Sequence, residues 1–132
     1  MSALYLRVRT PEGLALDHEV RSIRVEDRDG WIGILPNRRD LLAVLPPGLV
    51  LFADDEGEGY VAISGGLLEL THNDCRISAH VARVARDPSA AAEALDVLLR
   101  ERRERSERRR EVLDQLEREA LRRVAHVARE GT

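Results

Sequence analysis

The sequence has no lysine, one cysteine and few aromatic residues, and each shortage excludes a class of function. All 21 basic residues of the 132 are arginine, which excludes Schiff-base chemistry on lysine, a P-loop lysine and a lysine general base. Cys75 has no second cysteine to pair with, so an intramolecular disulfide framework is excluded. Because aromatic residues make up only 3% of the chain, the core must consist of Leu, Val, Ile and Ala.

Long apolar runs are missing as well. No stretch approaches the roughly 18 apolar residues that a membrane span requires, and the first residues lack the apolar core of a signal peptide. We therefore expect a soluble, cytoplasmic protein that reaches a membrane only through a partner. The arginines do not by themselves indicate nucleic-acid binding, because 24 acidic residues bring the formal net charge to -3 and phosphate binding needs excess positive charge.

The composition changes near Pro88 and predicts two domains, residues 1–86 and 87–132. The first part holds eight of the nine glycines and four of the five prolines. In that part, Leu4, Leu6 and Val8 alternate with polar or exposed-type residues, which is the period of a half-buried strand. Short apolar segments separated by turn sequences indicate an antiparallel β-sandwich or small barrel. The further predicted strands cover residues 20–26, 31–35, 41–45, 49–53, 60–64, 67–71 and 76–82.

Residues 87–132 are predicted to be helical. Asp87 is a good N-cap, and Pro88 suits the first helical position. Two amphipathic segments flank a middle, Arg100–Glu111, that contains no apolar residue. One long helix and a two-helix hairpin turning near Ser106 both remain open, since neither Gly nor Pro marks a turn there. The apolar stripe must pack on the other segment, on the β domain or on a partner.

Motifs for catalysis or metal binding are not found. The four histidines form neither an HxH nor an HExxH pattern, and the pair His72 and Cys75 lacks two further ligands for a metal. Ser64 has no G-x-S-x-G context, and Gly65-Gly66 is better interpreted as a bulge or tight bend. Arg100–Arg110 could be a nucleic-acid arm, but interleaved Glu and the lack of aromatics for base stacking favour a solvated helix. We predict a protein that is not an enzyme and holds no cofactor or metal.

Two motifs resemble the epsilon subunit of F-type ATP synthases. The first is Asp29-Gly-Trp-Ile-Gly-Ile-Leu-Pro-Asn37, followed by Leu41-Leu42 and Pro47-Gly48; the second is Tyr60-Val-Ala-Ile-Ser-Gly-Gly-Leu-Leu-Glu69. The resemblance covers residues 4–86 by motif and residues 87–132 by architecture alone. It implies a ten-stranded β-sandwich and two C-terminal helices in the rotor stalk.

The same resemblance implies partners and a location. The expected partners are the gamma subunit, the c-ring and, through the C-terminal helices, the alpha/beta catalytic head, whose ATP hydrolysis those helices can inhibit. The subunit has no active site and couples ring rotation to ATP synthesis at the cytoplasmic face of the bacterial inner membrane. The unusual ring-facing residues are compatible with a divergent subunit from a second, alternate synthase complex. Whether the coupled ion is H+ or Na+ is open, because the ion ligands lie in other subunits.

Two sets of site residues follow from the resemblance. The ring-contacting turn corresponds to Asp29, Gly30, Trp31, Arg38 and Arg39. A Trp beside a charged turn is a good interface anchor, although core packing is the alternative for this residue. The family often has a carboxylate where the Trp stands, and Gly-His followed by a small residue where Asn-Arg-Arg stands. Two adjacent arginines suit the acidic loops of a different ring.

The second set concerns the helical part. Arg118, Arg122 and Arg123 correspond to basic residues that meet an acidic segment of the beta subunit, and we expect a weak brake on hydrolysis. Some family members bind ATP at an (Ile/Leu)-Asp-x-x-Arg-Ala motif, which Leu95–Arg100 matches imperfectly. Leu99 occupies the Arg position of the motif and Arg100 the Ala position, so ATP binding is not predicted. The alternative function is a free-standing β-sandwich adaptor with a helical dimerisation tail.

Overall fold

A computed structural model describes the backbone of residues 3–130 and the side chains of residues 3–128. Across this range, ten strands form two five-stranded sheets and one helix follows, which confirms a β-sandwich with a C-terminal helix. The strands are β1 (Leu4–Thr10), β2 (Gly13–Val20), β3 (Ser22–Asp27), β4 (Gly30–Ile34), β5 (Leu41–Leu45), β6 (Gly48–Asp54), β7 (Gly57–Ile63), β8 (Gly66–Thr71), β9 (Asp74–Ala79) and β10 (Ala82–Ala85), and the helix is α1 (Pro88–Glu130).

The two sheets have the strand orders β2-β1-β9-β8-β5 and β10-β7-β6-β3-β4; we call them sheet A and sheet B. The predicted antiparallel arrangement holds for all neighbouring strands of the described chain except β1 and β9, which are parallel. A parallel pair needs a long connection, and the seven strands between β1 and β9 supply it.

The core lies between the sheets and is aliphatic apart from Phe52 and Cys75. Leu4, Leu6 and Val8 are fully buried, whereas Tyr5 between them is exposed, as the predicted alternation requires. Burying a side chain of this size contributes about 1.5–3 kcal/mol, so the many aliphatic residues of the core compensate for the scarcity of aromatic ones.

Two predicted strands are each divided by a crossing between the sheets. The segment predicted as one strand over residues 20–26 contains the end of β2 and all but the last residue of β3, with Arg21 between them donating its N–H to the Ala53 carbonyl at 2.7 Å. Residues 76–82 likewise contain most of β9 and the start of β10. Buried positions are three residues apart at each corner, Val20 and Ile23 at the first and Ala79 and Ala82 at the second, so the period of two shifts where the chain changes sheets. Neither corner contains a Gly or Pro that would mark a turn.

The glycine pair where β8 begins is a tight bend, as predicted. Gly65 has a φ of 102°, a left-handed conformation that glycine adopts without steric cost. At Gly66, a Cβ atom would lie 2.3 Å from the carbonyl oxygen of Ser78 on β9. The first glycine is therefore required by the turn, and the second by the close approach of two backbones.

The connection from β10 to α1 is stabilised by hydrogen bonds to one carboxylate, that of Asp54. Asp54, whose side chain is only 9% exposed, accepts two bonds from the Arg86 guanidinium at 2.9 and 2.7 Å. It also contacts His18 Nε2 at 2.9 Å and accepts the Glu56 N–H at 2.9 Å. The bonds from Arg86 hold the pKa of Asp54 well below its usual range. The Arg86 guanidinium also lies 5.2 Å from the centre of the Phe52 ring, so the start of the helix is held by both charge and packing.

The helix is continuous through Ser106, so the hairpin alternative is not adopted. Asp87 caps it as predicted, accepting the Ala90 N–H on its side chain at 3.3 Å and the Ala91 N–H on its carbonyl at 3.0 Å. The chain divides into two compact units, one ending at Leu99 and the other beginning at Arg100. Among residues 3–130, no helix has both the length and the apolar character that crossing a bilayer demands.

Candidate functional site

The turn between β3 and β4 carries the first predicted contact residues. Asp27 accepts the N–H groups of Asp29 and Gly30 on one carboxylate oxygen, at 2.8 and 3.1 Å. Gly30 has a φ of 135°, which a residue with a Cβ rarely adopts. The carboxylate of Asp27 thus closes the turn through hydrogen bonds to its backbone, and Asp29 at the tip is exposed to solvent.

Trp31 follows this turn on the outer side of sheet B. Its side chain is 55% exposed, which excludes the alternative that it packs in the core. The guanidinium carbon of Arg24 on the neighbouring strand lies 5.8 Å from the ring centre, within the range of a cation–π contact. An exposed indole held beside a cation is a suitable anchor for a protein partner.

Arg38 and Arg39 lie in the loop of residues 35–40, which joins β4 to β5. The Arg38 side chain donates its Nε–H to the Gly33 carbonyl at 3.1 Å, and its backbone N–H is bonded to the Leu35 carbonyl at 3.3 Å. Arg38 is therefore brought onto the strand that carries Trp31, while Arg39 is exposed to solvent. We call the predicted contact residues of this region the turn surface: Asp29, Gly30, Trp31, Arg38 and Arg39.

A second contact to this loop comes from a residue that sequence reasoning missed. Asn37 donates its N–H to the side-chain oxygen of Asn73 at 2.6 Å, and the Asn73 amide group donates to the Asn37 side-chain oxygen at 3.3 Å. The two residues are 36 positions apart, so no local pattern connects them. Left-handed backbone at both asparagines is compatible with their residue type, but composition alone does not reveal it.

Sheet A has an exposed apolar edge, formed by Leu42 and Val44 on β5 and Leu67 on β8. Their exposed fractions are 67%, 62% and 40%, and Val44 is directly opposite Leu67. Alternating side chains of a strand face opposite sides of a sheet, and here both sides of β5 are apolar. Contiguous exposed apolar residues mark an interaction surface. The sequence did not show this edge, because Leu41–Leu45 is apolar throughout and has no period that separates inside from outside.

In the second compact unit, which begins at Arg100 and which we call the tail, the three predicted arginines do not share one face. Arg118 and Arg122 are one helical turn apart, but Arg123 is rotated by about 100° from Arg122, and all three are exposed. The apolar stripe beside them is also exposed within the described part of the chain. It consists of Leu113, Leu116, Leu121, Val124 and Val127.

In the middle of the continuous helix, arginine side chains share the side of Ser106 and glutamate side chains lie on other sides. Residues three or four positions apart lie on the same side of a helix, so arginines surround Ser106 on its own side while glutamates occupy other sides. Arg105 lies 3.9 Å from Glu101 one turn earlier. The arginines that share the side of Ser106 are Arg102, Arg103, Arg109 and Arg110.

The residues considered for metal or ATP binding lie in different environments. Cys75 is fully buried on β9, and desolvation raises the pKa of its thiol to about 12, whereas His72 lies exposed in the β8–β9 turn. Leu99, at the Arg position of the ATP-binding motif, is half-buried. Across the residues that the structure describes, no group of three or more His, Cys, Asp or Glu residues is arranged to hold a metal ion.

Comparisons with known proteins give one family match and two structures of similar fold. The model of the ATP synthase delta/epsilon chain β-sandwich domain matches residues 3–85. One similar solved structure is the Euglena gracilis mitochondrial ATP synthase (OSCP/F1/c-ring), with a TM-score of 0.59 and 21% identity over 73% of this chain and 63% of that one. Another is the central stalk and c-ring of the Tetrahymena thermophila mitochondrial ATP synthase, with a TM-score of 0.50 and 20% identity over 61% of this chain and 65% of that one. At these identities the two structures show a shared fold, and the match spans less than two thirds of either neighbour.

Proposed function

The chain belongs to the ATP synthase delta/epsilon chain family, and we propose that it is the epsilon subunit of an F-type rotor stalk. In this role it binds the gamma subunit and the c-ring, has no catalytic site, and couples ion-driven rotation to ATP synthesis in the head. The family match across the whole sandwich is the observation that carries the proposal. The subunit would be peripheral, held at the cytoplasmic face of a bacterial inner membrane through the ring.

The turn surface is the part we assign to the c-ring. It combines an exposed indole, contacted by the guanidinium of Arg24 on β3, with the cations Arg38 and Arg39. Guanidinium groups bind carboxylates through paired hydrogen bonds, so the chemistry suits loops that carry acidic side chains. The exposed carboxylate of Asp29, at the tip of the turn, would repel a fully acidic loop. The contact therefore suits loops that carry both acidic and neutral or basic side chains.

The apolar edge is the part we assign to the gamma subunit. Leu42, Val44 and Leu67 would be covered there, and covering apolar area is the main favourable contribution to most protein association. Because β5 is the outermost strand of its sheet, a partner can approach both the apolar side chains and the edge itself.

Co-purification with gamma tests this proposal. The wild-type chain, expressed with the gamma subunit of the same synthase, should form a stable complex. Val44→Glu should weaken that complex at least tenfold, because it places an unpaired charge in the interface. Val112→Glu, at an exposed valine of the tail, is the matched control and should bind normally. A wild-type chain that does not associate with gamma contradicts the proposed role.

The tail is the part we assign to regulation of the head. Arg118, Arg122 and Arg123 would approach an acidic segment of the beta subunit and act as a weak brake on ATP hydrolysis. Removing residues 100–132 leaves the buried Ala91 and Leu98 in place and should raise the ATPase rate of the assembled complex. An unchanged rate in that complex refutes the brake.

One observation favours a second candidate, an adaptor that dimerises through its tail. The apolar stripe of the tail is exposed, and such stripes commonly pair with another helix. Light scattering on the purified chain, alone and with gamma, separates the two. A dimer that ignores gamma supports the adaptor, and a monomer that forms a one-to-one complex with gamma supports the stalk subunit.

A further inference from the structure

Left-handed backbone outside glycine is concentrated at one place in residues 3–130. The residues concerned are Asn37, with a φ of 68°, His72, with 49°, and Asn73, with 66°. Such conformations are unfavourable for residues with a Cβ atom, least so for asparagine. They persist where surrounding contacts impose them, and they cluster at functional sites. These three residues come from two separate segments, the loop of residues 35–40 and the β8–β9 turn.

Hydrogen bonds join the two segments at both ends of a short stretch. At one end, Asn37 and Asn73 form the reciprocal pair already described, with distances of 2.6 and 3.3 Å. At the other end, the Asp40 carboxylate accepts the His72 N–H at 3.2 Å. Between the two fastened positions lie Arg38 and Arg39, the two cations of the turn surface.

The β8–β9 turn is itself firmly held. The Asn73 carbonyl accepts the N–H of Tyr5 on β1 at 2.8 Å, and the flanking residues Thr71 and Asp74 are paired across the hairpin. The turn is therefore anchored to three strands of sheet A. The loop of residues 35–40 connects β4 of sheet B to β5 of sheet A, and the turn gives it a fixed support between those ends.

We infer that Asn73 is a positioning residue for the ring-contacting surface, because its side chain holds residues 37–40 so that Arg38 and Arg39 are ordered before the ring binds. This inference rests on the proposed function. Ordering a loop in advance removes an entropic cost from association. Asn73 acts through the loop and need not touch the ring.

Two substitutions at Asn73 separate its side chain from its backbone. Asn73→Gly permits the left-handed backbone without strain but removes both side-chain bonds to Asn37. Asn73→Asp keeps an acceptor oxygen for the Asn37 N–H and a residue type that tolerates this backbone. The readouts are hydrogen exchange at the Asn37 amide, and affinity for the purified, detergent-solubilised c-ring and for gamma, measured on the full chain.

We expect Asn73→Gly to speed exchange at Asn37 and to weaken ring binding about five- to tenfold, the scale of one or two hydrogen bonds. Gamma binding should not change, and Asn73→Asp should restore most of the ring affinity. Asp55→Gly, in the exposed β6–β7 turn, is the control and should leave ring affinity unchanged.

Direct removal of the cations distinguishes a failure of the positioning role of Asn73 from a failure of the proposed ring surface. If Arg38→Ala with Arg39→Ala weakens ring binding and Asn73→Gly does not, the positioning role is overturned and the ring surface stands. If neither change affects ring affinity, the proposed ring surface itself fails. If Asn73→Gly weakens ring and gamma binding equally, the residue supports the fold in general, and the positioning role is again overturned.

Discussion

The sandwich and the tail contain similar apolar residues, but only the sandwich buries them within this chain. Leu68 and Ile77 are fully buried between the sheets, whereas Leu113, Leu116 and Leu121 of the tail are all more than half exposed. The sandwich therefore derives its stability from its own contacts. The tail depends on local helix-forming preferences and on whatever covers its stripe.

The charged residues differ between the two regions in the same way. In the sandwich, Arg86 is paired with Asp54, 32 positions away, and the fold brings the two together. In the tail, Arg105 and Glu101 are paired across a single helical turn at 3.9 Å. Exposed pairs of the latter kind contribute only a few tenths of a kcal/mol. Charge placement thus specifies tertiary structure in the sandwich and merely supports the helix in the tail.

The largest expected effect comes from truncating matched leucines in the two regions. Leu68→Ala should destabilise the protein by about 2–5 kcal/mol, because it removes buried methyl groups and leaves a cavity. Leu116→Ala, at an exposed position, should change the free energy of unfolding by less than about 0.5 kcal/mol. Urea denaturation followed by tryptophan fluorescence measures both. Equal losses would mean that the tail is packed within the isolated chain.

A smaller effect is expected where β10 leads into α1, within the first compact unit. Asp54→Asn should cost about 1–3 kcal/mol at pH 7, because the charge-assisted bonds to Arg86 are lost. The folded pKa of Asp54 is lowered, so the wild-type advantage is fully present above the unfolded value near 4 and declines as the pH falls below it.

Urea midpoints at pH 7, 5 and 3 measure this decline. The exposed pair of Asp55 and Arg21 supplies the control, since Asp55→Asn should alter stability little at any pH. An Asp54→Asn deficit that stays constant down to pH 3 would show that the carboxylate charge is not what stabilises the connection from β10 to α1.

The smallest effect on the sandwich should come from breaking the helix. Ser106→Pro costs the helix about 3 kcal/mol locally and should lower the helical circular dichroism signal. The unfolding midpoint of the sandwich should stay the same, because the second compact unit begins only at Arg100. Ser106→Ala should retain the helical signal. A lowered sandwich midpoint with Ser106→Pro would join the two regions energetically and weaken the contrast between them.

Much of the architecture was predictable because it follows from local rules. Side-chain alternation identified most strands, Asp87 marked the start of the helix, and Gly65-Gly66 marked a tight bend. The division at Arg21 was missed, because no Gly or Pro marks the corner and only the shift of the buried positions from Val20 to Ile23 reveals it. The apolar edge around Val44 was missed, because a wholly apolar strand has no side that its pattern marks as exposed.

By itself, the sequence determined that a β-sandwich precedes a C-terminal helical segment and contained the two motifs that resemble the epsilon subunit, since these depend on neighbours along the chain. Tertiary structure alone decided which apolar side chains remain exposed and that Trp31 lies outside the core. It also brought Asn73 to Asn37 across 36 positions. Such contacts depend on how the strands are paired and on how the two sheets meet, and the spacing of residues along the chain does not encode either.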